Sequence, residues 1–297
     1  MVSVVVLTYR RQERLFQTLS TILEQDYPNI ELLISDDAGG TQDSQAIAGW
    51  LERNAGGRFV QTAIRCNGRN LGTVRHANLA AGLCAGKYLH FLPCGDGFCR
   101  PDALSAHVRF AEQSQSAVTT SQAIVSDETF RQKYYLFPSR RRAESFSHKS
   151  PEWMFRALCR NNTICAVATM FHRKFFMDGG FDPAYRYLED WPAWLRLTRE
   201  GSAIPCLREA TVYYTLSGIS GQNGNAYASP FLSTDMLLCH EKEIFPYLSQ
   251  IPSWERPYLR YRYASLQTDG RNLFFRYPAF VLYHKAKNLL KDQIVHR

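Results

Sequence analysis

Val2-Ser3-Val4-Val5-Val6-Leu7-Thr8-Tyr9 is a nearly unbroken β-branched run. Such a run forms a strand covered on both faces. Outward from it, Leu15, Phe16, Leu19, Ile22 and Leu23 fall at helical spacing. Ile30–Ser35 reads as a second strand, and Ala46, Ile47, Trp50 and Leu51 mark another helix face. Phe59–Ile64 predicts a third strand, and Tyr88–Leu92 a fourth. Between them Val74, Ala77, Ala81 and Cys84 fit one side of a short helix. Strand–helix–strand repetition implies parallel strands joined by right-handed crossovers, hence an α/β fold.

The pattern changes after Pro101. Asp102–Gln113 and Pro151–Leu158 read as helices, Ala117–Val125 and Ile164–His172 as extended, and Asp190–Glu200 as a helix. Residues 126–150 are polar and basic, with Arg140-Arg141-Arg142, and read as a mobile loop. Helices carrying many aromatics are expected from Pro230 on. Three zones follow: 1–100, 101–228 and 229–297, the first two sharing one sheet.

Composition is that of a globular chain: 297 residues, 45% hydrophobic and 21% charged. This excludes a collagen-like, coiled-coil or largely disordered protein. The net charge of +8 favours an anionic partner. No Lys-rich arm and no aromatic-plus-Arg RNA signature is present, so nucleic acid is not the expected one. No apolar run approaches the ~20 residues of a spanning helix. The first residues carry no basic leader, so a cytoplasmic protein is expected. The eight cysteines include no Cys-x-x-Cys and are expected reduced, in or near the core.

Ligands of open parallel sheets bind beyond the carboxyl ends of the strands. All four predicted strands end in polar or glycine-rich groups. These are Thr8-Tyr9-Arg10, Asp36-Asp37-Ala38-Gly39-Gly40, Asn67-Gly68-Arg69-Asn70-Leu71-Gly72 and Pro93-Cys94-Gly95-Asp96-Gly97. Neither the dinucleotide fingerprint nor the P-loop occurs.

Taken in order, several segments resemble family 2 glycosyltransferases of the GT-A fold. They are Val2–Tyr9, Gln25-Asp26-Tyr27-Pro28-Asn29-Ile30-Glu31 and Ile34-Ser35-Asp36-Asp37. Asn70-Leu71-Gly72, with Arg75 and Asn78, and Gly86–Leu92 continue the series. Gly179-Gly180-Phe181-Asp182, Glu189-Asp190-Trp191 and Trp194-Leu195-Arg196-Leu197 complete it. The resemblance runs over about residues 2–220. It implies a mostly parallel central sheet flanked by helices, followed here by a C-terminal helical extension. Residues 1–100 would be the nucleotide-sugar half, 101–228 the acceptor half and 229–297 the extension.

The family moves sugar from a nucleoside diphosphate sugar to an acceptor, usually with inversion. On that resemblance Tyr9, flanked by Thr8 and Arg10, packs on the base. Asp37, with Asp36 beside it, hydrogen-bonds the base. Asn70 and Arg75 lie toward the nucleotide. Asp96 matches the last Asp of the metal motif and would hold Mn²⁺ or Mg²⁺. Asp190 matches the catalytic base, with Glu189 as its neighbour and Trp191 and Trp194 as apolar walls for a sugar. A divalent cation neutralises the leaving diphosphate, and Mg²⁺ needs only one or two carboxylates beside substrate phosphates. A carboxylate on the opposite face takes the acceptor proton.

The sequence departs from the family pattern in two places. Pro93-Cys94-Gly95-Asp96 keeps one carboxylate of the metal motif. Tyr213–Ser220 lacks the His that often adds a metal or phosphate contact. The expected acceptor is a glycan or lipid-linked intermediate of a bacterial surface polysaccharide. A second reading is a nucleotide-sugar-binding protein that has lost transfer. A nucleotidyltransferase fits less well, because Thr8-Tyr9-Arg10-Arg11-Gln12 is not a glycine-rich basic loop. Residues 255–297 hold nine Lys/Arg and three Asp/Glu, and Leu273–Tyr283 mixes aromatics with basic flanks. That combination suits peripheral contact with an anionic membrane.

Overall fold

The computed structural model describes residues 1–10, 14–38, 44–216, 232–267 and 270–295. The first half alternates β1 (Val2–Thr8), α1 (Leu15–Leu23), β2 (Ile30–Asp36), α2 (Ser44–Ala55), β3 (Gln61–Cys66), α3 (Thr73–Gly82) and β4 (Tyr88–Pro93). Then come β5 (Gly97–Phe98), α4 (Ala103–Ser114), β6 (Val118–Ser126), β7 (Lys133–Phe137), α5 (Arg140–His148) and α6 (Pro151–Arg160). They are followed by β8 (Thr169–His172), α7 (Lys174–Met177), α8 (Asp190–Arg199) and β9 (Cys206–Thr215). The C-terminal part is helical: α9 (Ser233–Cys239), a π-turn at His240–Ile244, a 3-10 segment at Phe245–Gln250, then α10 (Arg256–Gln267), α11 (Gly270–Arg276) and α12 (Pro278–Val295).

One sheet runs through both halves in the order β3-β2-β1-β4-β8-β6-β9-β5, with β7 paired to β6. β3, β2, β1 and β4 are parallel, as are β6 and β9. β8 runs antiparallel between β4 and β6. The expected shared sheet is therefore present.

Side-chain alternation explains why the sheet is buried on both faces. Val4, Val6, Leu32 and Ile34 point into one core with Leu15, Leu19 and Ile22 of α1. Val5, Leu33, Leu89 and Phe91 point into the other, with Val74 of α3, Phe155 of α6 and Trp194 of α8. Successive strand residues face opposite sides, so an unbroken apolar run feeds two cores at once.

Two expectations are corrected. Residues 126–150 are not a loop, for they form β7 and α5. Their polarity hid these elements: β7 is an edge strand with Tyr134 and Tyr135 exposed. α5 buries only Ala143 and Phe146, leaving Arg140 and Arg141 outward while Arg142 lies half-buried over the Trp153 ring. Trp191 and Trp194 are not walls of a sugar pocket, because both are fully buried. The Trp191 indole donates to the Leu158 carbonyl at 2.9 Å, and Trp194 stacks on Phe171 at 5.8 Å.

The cysteines are free thiols, five of them buried. Among the described residues no helix is long and apolar enough to cross a membrane.

Candidate active site

The parallel ladders end together. Thr8 is the register partner of Asp36, Asp36 of Cys66, and Leu7 of Pro93. The Asp37 amide donates to the Thr8 carbonyl at 2.9 Å and the Cys94 amide to the Leu7 carbonyl at 2.8 Å. Thr8, Asp36 and Asp37 are buried at this edge. Tyr9 is 40% exposed there, with the Arg10 guanidinium 5.0 Å from its ring centre. Thr8 Oγ1 is buried and has no hydrogen-bond partner among the described residues. Arg11 and Gln12, Gly39 and Gly40, and Ser217–Ser220 lie outside the described residues.

Asp37 organises the loop after β3. Its Oδ1 accepts from Asn67 Nδ2 at 3.0 Å and the Leu71 amide at 2.9 Å. Its Oδ2 accepts from the amides of Leu71 and Gly72, both at 3.0 Å. The Gly72 amide is shared with Asn70 Oδ1 at 3.1 Å. Asp37 thus acts first on protein, shaping the loop that a nucleotide would meet. Arg75 is exposed in the first turn of α3, just beyond it. His76, which the sequence reading missed, is buried under the pair and bonds Ser35 Oγ at 2.8 Å. Burial holds its pKa below the usual imidazole value against the opposing pull of Asp37 and Asp36. It is therefore neutral near pH 7.

Gly72 sits at φ +79, and a Cβ there would lie 2.8 Å from the Arg186 carbonyl oxygen. That close approach is used: the Val74 amide donates to the same carbonyl at 3.1 Å. The contact joins α3 to the turn leading into Glu189 and Asp190. Only a glycine fits both the left-handed backbone and the gap.

Asp96 is buried between β4 and β9. Its Oδ1 accepts from the Thr215 amide at 2.7 Å and Thr215 Oγ1 at 3.1 Å. Its carbonyl accepts from Thr18 Oγ1 at 2.7 Å. Among the described residues no group of three or more His, Cys, Asp or Glu gathers to hold a metal ion. One partly committed carboxylate does not make a self-sufficient cation site. It fits an ion held jointly with a diphosphate, which is how Mg²⁺ is commonly bound.

Asp190 opens α8. Its Oδ2 accepts from Asn162 Nδ2 at 2.7 Å and its Oδ1 from the Trp191 amide at 2.6 Å. Asn162 was not singled out from sequence, since nothing in its spacing relates it to a residue 28 positions on. Burial raises the Asp190 pKa, opposed by the Asn162 and backbone bonds. Burial, reinforced by the Asp190 charge, raises Glu189 to about 8. Two adjacent carboxylates cannot easily both ionise in a poorly solvated place. Asp190 accepts hydrogen bonds that favour its charge, whereas burial and the Asp190 charge both oppose ionisation of Glu189.

The two carboxylate stations share one neighbourhood. The Cys165 thiol is pushed up to about 12, first by burial and then by both Asp96 and Asp190. The charges of Asp96, which follows β4, and of Asp190, at the start of α8, therefore both act on the same buried thiol. Of the residues expected from sequence, Thr8, Tyr9, Asp36, Asp37 and Asn70 collect at the strand ends.

The sequence model of glycosyl transferase family 2 matches residues 3–180. The chain belongs to that family. A relative known as an uncharacterised glycosyltransferase of Haemophilus influenzae is 24% identical over 226 residues. The match covers 73% of this chain and 66% of that protein, so the chain spans just under two thirds of the relative's length. Among solved structures, TarS of S. aureus (residues 1–349) in complex with UDP-GlcNAc is similar at a TM-score of 0.59 with 17% identity. That alignment covers 93% of this chain and 73% of TarS. The mannosyltransferase PcManGT of Pyrobaculum calidifontis, in complex with GDP-Man and Mn²⁺, is similar at 0.57 with 15% identity. It covers 96% of this chain and 75% of PcManGT. These likenesses show the fold, a GT-A glycosyltransferase fold with added C-terminal helices.

Proposed function

We propose that this family 2 member transfers a sugar from a nucleoside diphosphate sugar to an acceptor hydroxyl with inversion. The observation that supports the reading is the Asp190 carboxylate at the start of α8, next to Glu189 and held by Asn162 and the Trp191 amide. Asp190 Oδ1 and Oδ2 are oriented by Trp191 and Asn162, so the carboxylate is held ready to accept a proton. As the acceptor oxygen approaches the anomeric carbon, its proton passes to Asp190 and the diphosphate departs on the opposite face. In this reading Tyr9, Arg10 and Arg75 meet the nucleotide, and the loop shaped by Asp37 and Asn70 fits around it. A Mn²⁺ or Mg²⁺ ion shared between Asp96 and the diphosphate would supply charge neutralisation for the leaving group.

The binding-only reading draws on one feature, the loss of metal-motif carboxylates at Pro93-Cys94-Gly95-Asp96. The oriented Asp190 argues against it, since a binding module has no use for a proton acceptor there. A thermal-shift panel of nucleoside diphosphate sugars tests the donor half. One nucleotide is expected to raise the melting temperature well above the rest, because a ligand of the folded state stabilises it in proportion to affinity. A flat panel contradicts the reading.

The acceptor we favour is a glycan or lipid-linked intermediate of bacterial surface polysaccharide synthesis, met by a cytoplasmic enzyme at the membrane. Support comes from the C-terminal helices. Phe275 is 84% exposed, Leu282 and Tyr283 are exposed nearby, and Arg276 and Lys285 lie outward. Basic residues near anionic lipid contribute about 1 kcal/mol each. Flotation with anionic but not neutral vesicles is the expected result. Equal binding to both, or to neither, sinks the membrane part.

A further inference from the structure

Asp235 lies in α9, in the C-terminal part of the chain, and is buried. Its Oδ2 accepts three backbone hydrogen bonds, from Arg186 at 2.9 Å, Tyr187 at 2.6 Å and Leu188 at 3.0 Å. Three consecutive amides converging on one carboxylate oxygen form an anion-holding nest, here filled by the protein itself. These amides immediately precede Glu189 and Asp190. The Glu189 side chain makes no cap hydrogen bond to α8, whose own hold on its start is the bond from the Trp191 amide to Asp190 Oδ1. The Arg186 carbonyl meanwhile accepts from Val74 of α3. The turn at 186–188 is thus tied on one side to the donor half and on the other to α9.

We propose that Asp235 is a positioning residue for transfer: through the backbone of residues 186–188 it fixes the turn that carries Asp190, and so sets the distance between base and donor. The inference rests on the transfer reading above. Charge gives it a second consequence. The Asp235 carboxylate is close enough to Glu189 to add to the effect of burial and of Asp190 in raising its pKa. Asp235 therefore helps keep the proton on Glu189. The groups facing this carboxylate pair are Asn162, the Cys165 and Cys239 thiols, and Asp235 itself.

Asp235→Asn keeps the size and one acceptor oxygen but removes the charge. Catalysis is sensitive to misplacement, an error of about 1 Å costing up to ~10²-fold, so kcat is expected to fall roughly 10–100-fold. Donor KM should change little, because the nucleotide edge is untouched. The acid limb of the kcat profile should move to lower pH, since a negative charge beside the pair is gone. A merely structural role would not move that limb. Amide exchange gives a readout independent of turnover. In wild type the amides of 186–188 should exchange slowly, and in the variant faster. Fast exchange at 186–188 in wild type overturns the inference even if the variant fails to fold. Transfer by wild type with an unchanged kcat and acid limb in Asp235→Asn overturns it alone. Failure of wild type to transfer from any bound donor overturns the functional reading, and this inference with it.

Discussion

Asp190→Asn is expected to lower the transfer rate by about 10²–10⁴-fold while donor affinity stays nearly unchanged. Asn keeps the size and can still accept from the Trp191 amide, but it cannot take a proton. The competing role for Asp190 is to cap the start of α8, and its Oδ1 does accept from Trp191. Capping alone would give a different pattern: little loss of rate, and about 0.5–2 kcal/mol less stability for Ala at the position. Turnover, donor affinity and melting temperature on the Asn and Ala variants separate the two. The raised pKa of the pair adds a pH signature. The base works only when ionised, so the rate must fall as pH drops through the pair's apparent value. That value is displaced upward by burial, so the acid limb should lie above the ordinary Asp range of about 4. A near-wild-type rate for Asp190→Asn moves the base to Glu189 or defeats the mechanism.

Asp96→Ala is expected to abolish the cation-dependent part of donor stabilisation. At donor concentrations near 100 times Kd, binding contributes about 2.7 kcal/mol, and for a chain of this size that is roughly 5–10 °C in melting temperature. The variant has a structural effect too. Asp96 Oδ1 receives the Thr215 amide and hydroxyl, and removing it leaves buried donors unsatisfied at a cost of about 1–3 kcal/mol. Asp96→Asn separates the effects, because the amide oxygen can still accept from Thr215 while the charge is lost. The expected outcome is a drop in basal melting temperature for Ala, little for Asn, and loss of the Mn²⁺-dependent donor shift in both. Full turnover of wild type in excess chelator removes Asp96 from any cation role.

Much of this arrangement is legible in the residues. The nearly unbroken run Val2–Leu7 required a strand buried on both faces, Ile30–Ser35 read as its neighbour, and the polar groups after each strand marked one edge as the candidate site. Asp190 stood out because Glu189-Asp190-Trp191 resembles the segment that carries the catalytic base in family 2 glycosyltransferases. What was not legible depends on contacts between distant segments. Asp37 reads as a ligand group in sequence, and only the fold reveals that its oxygens hold Asn67, Leu71 and Gly72. Trp191 and Trp194 follow Asp190 closely in sequence, and only the fold reveals that both are buried in the core. Asp235 sits 45 residues beyond Asp190, in a segment whose pattern signals only helix, and no spacing rule joins it to residues 186–188. β7 and α5 were missed because an edge strand and a surface helix expose most of their polar residues, which blurs both periodicities.

The most direct measurement is the configuration of the transferred sugar. Wild-type protein, the donor selected by the binding panel and a lipid-linked glycan acceptor would be incubated together. The product's anomeric carbon would be followed by NMR beside release of the nucleoside diphosphate. A single displacement with Asp190 as base gives acceptor-dependent release and an anomeric centre inverted relative to the donor. Retention of configuration, or tight donor binding with no acceptor-dependent release, would contradict it.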